Sequence, residues 1–379
     1  MPFPRKTLAS LLCGLTLTLA AHAEDVVFVQ IASQTNPASK DNARGLAVGI
    51  QAYFDAVNAK GGVQGRKLVL KIKDDGLNAE RMVQLTEETI ADPSIAGLLG
   101  FLNSAGLAEI AKRDLAGQGK IALIAPLQGD KNVIGAANVF PFRSGYVNEI
   151  EALLKEAKSW GKDTVSVVNM GIAFGPILAK VAEEQAPAMG LKVVSHSVID
   201  AKPENIAASV QTAVKDTSAA QPKAILVLAA GKPAYEFVKA MRAAPGGMAQ
   251  MYGLSVLLHD DLVAQSGKDK AHGMVLSQSL PYPYTMYKPL ITEYQQVMKS
   301  YAPKEPISYS SLEGFAGAKI AAEAVRRAGA PSRERILAAL NQLGAYDLGG
   351  INVNYGPSGR KGWGAVELTI IGADGQLRK

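Results

Sequence analysis

Cysteine and histidine are scarce in this chain. Of 379 residues, one is cysteine and four are histidine, and the single cysteine falls in an N-terminal stretch that we expect to be removed. A mature chain without cysteine has no disulfides, no thiolate metal ligands and no cysteine nucleophile. Three histidines remain, His196, His259 and His272. The sequence therefore offers little material for nucleophilic or metal-dependent catalysis.

Long apolar runs are missing after the first residues. No later run approaches the roughly 18 residues of a membrane-spanning helix. Residues 1–23 have a basic start, an apolar stretch and small residues at the end, which is the plan of a secretory signal peptide. Leu12 before Cys13 disfavours a lipid anchor. The sequence predicts cleavage after Ala23 and export to a bacterial periplasm.

Motifs for bond-breaking chemistry are also missing. Neither a GxSxG nucleophile elbow nor a GxxxxGK[ST] phosphate loop occurs. The stretch "GQGKIA" at 117–122 resembles a dinucleotide motif, but it precedes a strand and does not open a helix, so it is interpreted as a helix end. The adjacent Asp260 and Asp261 beside His259 are interpreted as a helix start. No catalytic residue, cofactor or metal site is predicted.

The net charge of +6 and the pI near 9.1 do not point to nucleic acid. Basic and acidic residues alternate along the chain, and no dense basic stripe is interleaved with aromatic residues. A solvated, mixed-charge surface accounts for this composition.

Short apolar runs alternate with longer segments of helical period. A chain of this length favours two domains, and repeated strand and helix alternation indicates βαβ units in parallel sheets. The sequence therefore predicts an α/β protein with two doubly wound parallel sheets. The chain ends in "GAVELTIIGADGQL", which is typical of an edge hairpin. The strand candidates are 26–32, 67–74, 95–101, 120–126, 164–170, 191–199 and 223–230.

Small and hydroxyl residues follow several of these strands. Ligands of parallel sheets gather at the carboxyl ends of strands, where helix starts offer free amide donors. The turn "LNSAG" can cap the next helix or hold a ligand, and both interpretations stay open. The predicted ligand-binding residues are Asn103, Ser104, Ala105, Leu127, Gln128, Gly129, Ile172, Phe174, Gly231 and Ser255.

Four segments carry a resemblance to a known family. They are "GLAVGIQAYFDAVNAKGGVQGRKLVLKIKDDG", "NAERMVQLTEETIADPSIAGLLGF", "SYSSLEGFAGAKIAAEAVRRAG" and "YDLGGINVNYGPSGRKGWGAVELTIIG". In order and spacing, the chain resembles the periplasmic solute-binding proteins of branched-chain amino acid type ABC importers, the type I periplasmic binding protein fold. The likeness covers essentially the whole mature chain.

The resemblance implies two lobes joined by a three-crossover hinge that closes on a small molecule in the interlobe cleft. It implies a first lobe of residues 24–143 plus 278–344 and a second lobe of 144–277 plus 345–379. The implied partners are a small amino acid or organic acid and an ABC permease of the inner membrane, with the binding protein a monomer. Nine of the ten residues above, all except Ile172, match the family's binding turns.

One departure from the family bears on the ligand. Amino acid binders of the family place an acidic residue for the ligand ammonium group near "LSVLLHDD", where this chain offers Ser255 and apolar residues. Asp260 and Asp261 lie further along the chain and are expected to be too distant. A carboxylate without an amine therefore suits the turns better. A ligand sensor of the same fold and a secreted enzyme are the alternative functions.

Overall fold

The computed structural model describes residues 24–36, 39–171, 174–356 and 359–379. The predicted signal peptide therefore lies outside the described residues. None of the helices within these ranges is long and apolar enough to cross a membrane.

The first third of the chain forms a five-stranded parallel sheet flanked by helices. The strand order is β2-β1-β3-β4-β5, so β1 lies between its two successors. The elements are β1 (Val26–Ile31), α1 (Lys40–Asn58), β2 (Leu68–Lys73), α2 (Ala79–Ala91), β3 (Ile95–Leu99), α3 (Ser104–Lys112), α4 (Leu115–Gln118), β4 (Leu123–Ile124), α5 (Lys131–Ile134) and β5 (Val139–Phe140).

The middle third forms a second sheet. Its strands run in the order β15-β14-β10-β9-β8-β6-β7, and the five from β10 to β7 are parallel. The elements are α6 (Tyr146–Ser159), β6 (Thr164–Met170), α7 (Phe174–Ala188), β7 (Lys192–Ile199), α8 (Ile206–Ala220), β8 (Ala224–Leu228), α9 (Gly231–Ala243), β9 (Gln250–Gly253), α10 (His259–Ser266), α11 (Lys268–Ala271) and β10 (Val275–Gln278).

The last third serves both sheets. Three helices return to the first sheet, where α13 packs on α1, β3 and β4. A small antiparallel sheet of β11, β12 and β13 follows, and the hairpin of β14 and β15 completes the second sheet. The elements are α12 (Pro289–Tyr301), α13 (Tyr309–Ala328), α14 (Arg333–Asn341), β11 (Gly344–Asp347), β12 (Asn352–Gly356), β13 (Gly359–Lys361), β14 (Glu367–Ile371) and β15 (Leu377–Arg378).

This course of the chain confirms the predicted α/β fold with two sheets and three crossovers. The chain passes to the second sheet after β5, returns after β10, and passes again after β13. The strand predicted at 120–126 is only Leu123–Ile124, because Lys120 and Ala125 have positive φ angles that end the extended backbone.

The segment 345–379, which was expected in one lobe, divides between the two sheets. Strands β14 and β15 join the second sheet, but the small sheet before them contacts the first. The Tyr355 hydroxyl donates to the Pro141 carbonyl oxygen at 2.7 Å, and Arg360 Nη1 donates to the Ala136 carbonyl oxygen at 3.2 Å. The other expected lobe boundaries stay predictions.

Helices α1 and α13 cross at very short range. A Cβ atom on Gly49 would overlap the carbonyl oxygen of Ser311, and one on Gly314 would overlap that of Leu46. Glycine at these two positions lets the backbones touch. This packing fixes the N-terminal turns of both helices side by side, and these turns form one wall of the cavity described next.

Candidate functional site

A cavity of about 210 Å³ lies between the first-sheet helices and the second sheet. The N-terminal turns of α1 and α13 form one wall, and the segment from the end of β9 into α10 forms the opposite wall. Gln278 and Tyr284, from the crossing after β10, close one side. The lining residues are Asp41, Arg44, Gly45, Val48, Ser255, Leu257, Leu258, His259, Asp260, Asp261, Gln278, Tyr284, Glu305, Pro306, Ser308, Tyr309, Ser310 and Ser311.

Acidic side chains dominate the charge of this cavity. Asp41 comes from α1, whereas Asp260 and Asp261 come from the first turn of α10 on the facing wall. Arg44, the lining guanidinium, is paired with Glu305 at 2.6 Å. Burial, Asp41 and Asp260 raise the pKa of Asp261, although the Tyr235 hydroxyl opposes the shift by hydrogen bonding to its carboxylate.

An aromatic group forms another part of the cavity wall. The rings of His259 and Tyr284 have centroids 6.0 Å apart, and those of Tyr284 and Tyr309 are 6.1 Å apart at 89°. Tyr309 is 8% exposed, and its hydroxyl has no hydrogen-bond partner in the described ranges. Burial raises the pKa of Tyr309, so this hydroxyl stays protonated and is a free donor beside the cavity.

A second, much smaller chamber adjoins the main cavity. It has a volume of about 10 Å³ and shares Asp41, Leu258 and Asp261 with the larger cavity. Its other lining residues are Ser39, Asn42, Gly231, Tyr235 and Val256.

Ser39 precedes α1 at the edge of this chamber. Serine at this helix position normally accepts a bond from a backbone amide of the first turn. Here the Ser39 hydroxyl makes no such bond, is buried, and has no partner in the part of the chain that the structure describes. The Ser39 hydroxyl is therefore available to bind a ligand at the edge of the chamber.

Ser255 is held by a buried carboxylate. Glu149 of α6 is fully buried and accepts from the backbone amide of Ser255 at 2.9 Å and from its hydroxyl at 3.0 Å. The Ser277 hydroxyl donates to the same carboxylate at 2.6 Å. Burial raises the pKa of Glu149, while Arg143 and these donors oppose the shift. This network fixes the cavity wall at the end of β9.

The three crossings between the sheets are joined by polar contacts. Arg143, in the first crossing, makes a bidentate ion pair with Glu313 of α13, with distances of 2.9 and 3.1 Å. Ser144 donates its backbone amide to the Ser279 carbonyl of the second crossing at 3.4 Å. The Ser144 hydroxyl donates to the Ala365 carbonyl of the third crossing at 2.5 Å. Arg143 therefore braces the hinge.

Two of the ten predicted ligand-binding residues line these cavities. Ser255 lines the main cavity, and Gly231 lines the small chamber. Ile172 lies outside the described residues. Phe174 begins α7 and packs against Tyr146, with ring centroids 5.6 Å apart.

The predicted turns after β3 and β4 lie next to each other. The Leu127 amide donates to the Phe101 carbonyl at 2.9 Å. Gln128 folds back, and its side chain accepts from the amides of Gly129 and Asp130. None of these turn residues lines the main cavity or the small chamber. Their contact with a ligand stays a prediction.

Asn103 caps helix α3. Its side chain accepts from the Gly106 amide at 3.1 Å and donates to Asp75 at 2.7 Å. Ser104 and Ala105 follow in the first turn of the helix. Capping, one of the two interpretations of this turn, is thus seen in the structure, and it engages both the oxygen and the nitrogen of the Asn103 side chain.

Asp260 and Asp261 were expected to lie too far along the chain to reach a ligand, whereas the structure places both in the lining of the main cavity. Helix α10 begins at His259, so both aspartates fall in its first turn, which faces the cavity. Asp41 and Tyr309 also line the cavity, and neither was among the predicted site residues. The sequence shows where α1 and α13 begin, but it does not show that the two helix starts lie side by side, because this depends on packing between distant segments.

Comparison with known proteins agrees with this architecture of two α/β units around a cleft. The sequence profile of the periplasmic binding protein family matches residues 29–376. The chain belongs to this family.

Within residues 24–36, 39–171, 174–356 and 359–379, no group of three or more histidine, cysteine or acidic residues is placed to hold a metal ion.

One curated protein and two solved structures are similar to this chain. The Leu/Ile/Val-binding protein homolog 7 of Brucella suis is 24% identical over 76% of this chain and 72% of the relative. A substrate-binding periplasmic protein from Ralstonia solanacearum has a TM-score of 0.86 and 28% identity, and the match covers 93% of this chain and 99% of that one. A branched chain amino acid ABC transporter protein from Thermus thermophilus, solved with bound valine, has a TM-score of 0.82 and 20% identity over 94% and 95% of the two chains.

Proposed function

We propose that this protein is the substrate-binding component of an ABC importer. It is exported to the periplasm by the signal peptide of residues 1–23, and it captures a small amino acid or carboxylate-type metabolite. As a monomer, it presents the closed, loaded form to a permease in the inner membrane. The observation that carries the proposal is the cavity of about 210 Å³ whose walls come from both α/β units.

A cavity with walls on two units connects binding to closure. A ligand that touches Val48 and Ser310 on one wall and Ser255 on the other makes its full set of contacts only when the walls are close. Its affinity is therefore higher for the closed form, and this difference in affinity shifts the population toward closure. The permease then distinguishes a loaded receptor from an empty one by shape.

The chain's own residues favour binding over catalysis. The cavity histidine, His259, pairs with Asp260 at 2.9 Å and packs against Tyr284, and among the described residues no hydrogen bond joins it to a cavity serine. The proteins named above include a Leu/Ile/Val-binding protein homolog and a protein solved with bound valine, which supports a ligand of amino acid size. The turns at Asn103 to Ala105 and Leu127 to Gly129, together with Phe174, are proposed as further contacts of the closed form.

Mass spectrometry of the compound that co-purifies from periplasmic expression tests this function. We expect one small molecule, and we expect its addition to refolded, ligand-free protein to raise Tm by several degrees. Ligand at about 100 times its Kd adds about 2.7 kcal/mol to the free energy of unfolding. Protein that retains no compound and is stabilised by no metabolite of a periplasmic extract contradicts the proposal, as does catalytic turnover of the bound compound.

A further inference from the structure

A groove of about 360 Å³ adjoins the main cavity and shares Val48 and Glu305 with it. We infer that the ligand is longer than the main cavity and that its apolar tail lies in this outer groove. The inference rests on the function proposed above and concerns the class of compound that the receptor takes. The outer groove is lined by Val48, Gln51, Ala52, Asp55, Tyr301, Ala302, Pro303, Lys304 and Glu305.

One stripe of helix α1 forms a wall of both spaces. Asp41, Gly45 and Val48 line the main cavity. Val48, Ala52 and Asp55 line the outer groove. Residues three or four positions apart lie on the same face of an α-helix, so the stripe is continuous. At ~1.5 Å per residue, the part from Val48 to Asp55 extends the site by about 10 Å. A ligand can therefore lie along α1 with one end in each space.

The wall opposite α1 presents apolar surface to the outer groove. It consists of the end of α12 and the turn that follows, with Tyr301, Ala302 and Pro303 in the lining. The Tyr301 side chain is 41% exposed, so an apolar tail beside it removes apolar surface from water. On the α1 side, the Gln51 amide donates to the Asp55 carboxylate at 2.8 Å, and these two polar groups already have each other as partners. The outer groove therefore suits an aliphatic or aryl tail.

The main cavity and the outer groove meet at an ion pair. The Arg44 guanidinium donates to the Glu305 carboxylate at 2.6 Å, and their side chains are 66% and 25% exposed. An exposed pair of this kind contributes little to stability, so it can open for a ligand at little cost. The two charged groups can also turn toward water while their methylene groups cover the tail. The Arg44–Glu305 pair therefore controls the passage between the two spaces.

The volumes also favour a ligand that extends beyond the main cavity. This cavity measures about 210 Å³, whereas pockets for organic ligands are usually about 300–1,000 Å³. The main cavity and the outer groove together fall within that range. The head of the ligand is then the amino acid or carboxylate proposed above, and its tail is an aliphatic or aryl group longer than the side chain of leucine.

Two homologous series of ligands measure the tail. The first is 2-aminobutanoate, norleucine, 2-aminooctanoate and 2-aminodecanoate, and the second is butanoate, hexanoate, octanoate and decanoate. Burial of one methylene group corresponds to about fourfold in affinity. In the series whose head the cavity accepts, we expect the affinity for ligand-free protein to rise at least about tenfold from six to ten carbons, measured by calorimetry. We also expect the compound identified by mass spectrometry to carry such a tail.

A substitution in the outer groove locates the effect. Gln51 is exposed and lines the groove but not the main cavity, so Gln51→Trp fills the groove and leaves the cavity intact. We expect it to weaken binding of the ten-carbon ligand several-fold and to leave the six-carbon ligand unaffected. Gln84→Trp is the matched control. Gln84 is also exposed and donates to a carboxylate four positions along its helix, that of Glu88, but it lines neither space, so both affinities should stay unchanged.

The outcomes separate this inference from the proposed function. Affinity that does not rise with chain length, or a ten-carbon ligand that binds equally to wild type, Gln51→Trp and Gln84→Trp, overturns the tail site and leaves the receptor function standing. A co-purified compound no longer than leucine has the same consequence. If neither series binds, the co-purified compound replaces them in the comparison of the two variants. The absence of any bound compound contradicts the proposed function itself.

Discussion

The charged groups at the hinge are paired and buried, whereas two carboxylates at the cavity, Asp41 and Asp261, make no ion pair within the described residues. Arg143 and Glu313 are 3% and 0% exposed and complete each other's hydrogen bonds at two positions. Asp41 and Asp261, by contrast, line a chamber whose lining, in the part of the chain that the structure describes, includes no lysine, arginine or histidine. A buried pair of this kind fixes geometry. Carboxylates that face one another across a cleft leave a role for a ligand, and this difference separates the hinge from the binding site.

Breaking the hinge pair should have the largest effect on stability. Glu313→Gln removes the charge that compensates Arg143 in a fully buried position, and we expect the free energy of unfolding to fall by about 3–5 kcal/mol. Urea denaturation monitored by circular dichroism measures this change in the free energy of unfolding. Glu109→Gln removes an exposed helical pair with Lys112 and should change stability by about 0–1 kcal/mol. Equal losses of unfolding free energy in Glu313→Gln and Glu109→Gln would show that the hinge pair contributes no more to stability than a surface pair.

Filling the cavity should remove ligand binding without such a loss. Val48 is half-buried and lines the main cavity, so Val48→Trp places an indole in the space of the ligand. The ligand-induced stabilisation, about 2.7 kcal/mol at 100 times Kd, should disappear, as thermal shift would show.

Ser104→Trp provides the comparison for the predicted turn. The turn prediction requires that this variant also loses the thermal shift while it stays folded. A shift that survives in Ser104→Trp but not in Val48→Trp would confine the ligand to the cavity and remove the turn after β3 from the site.

Glu149 lies between the hinge and the cavity wall, so its substitution should affect both the stability of the protein and its affinity for ligand. Glu149→Ala leaves the amide and hydroxyl of Ser255 and the hydroxyl of Ser277 without their acceptor. We expect unfolding to become easier by about 1–3 kcal/mol. The affinity for ligand should fall as well, because Ser255 loses its fixed position. A stability loss with unchanged affinity would show that Glu149 does not position the cavity wall.

The sequence predicted the sheets well because their strands carry a local signal. The run 164–170 is apolar enough to be recognised, and it forms β6 over the same residues. The strand β12 was missed, although its alternation of exposed Asn352 and Asn354 with buried Val353 and Tyr355 is a period-two pattern. Short strands rich in asparagine carry too little apolar character for a search for buried runs. Strands β5, β9, β10, β11 and β13 are only two to four residues long and were not predicted either.

The binding site was harder to predict because its walls are not local. Asp41 and Tyr309 lie far apart in sequence, and they come to one cavity only because α1 and α13 pack with their backbones in contact at Gly49 and Gly314. Asp261 was discounted by its distance along the chain from the matched family position. Asp261 lies in the first turn of α10, which faces the cleft. The spacing of residues in the sequence does not show this orientation.

Tyr309→Phe should give the smallest effect, and its sign distinguishes a ligand contact from a structural tyrosine. A buried hydroxyl without a partner contributes no net hydrogen bond to the free protein and carries a desolvation penalty. Its removal should therefore leave the ligand-free free energy of unfolding unchanged or raise it by up to about 1 kcal/mol. If the hydroxyl donates to the ligand, the same change should weaken binding by about 0.5–1.5 kcal/mol, read by calorimetry. Tyr355→Phe is the control, because its hydroxyl donates to the Pro141 carbonyl oxygen and Tyr355 lines neither the main cavity nor the small chamber, so that variant should lose stability and keep its affinity. A Tyr309→Phe protein that is destabilised and binds ligand normally would show that this hydroxyl has a structural role in α13. The polar groups of the cavity available to a ligand would then be Ser39, Asp41 and Asp261.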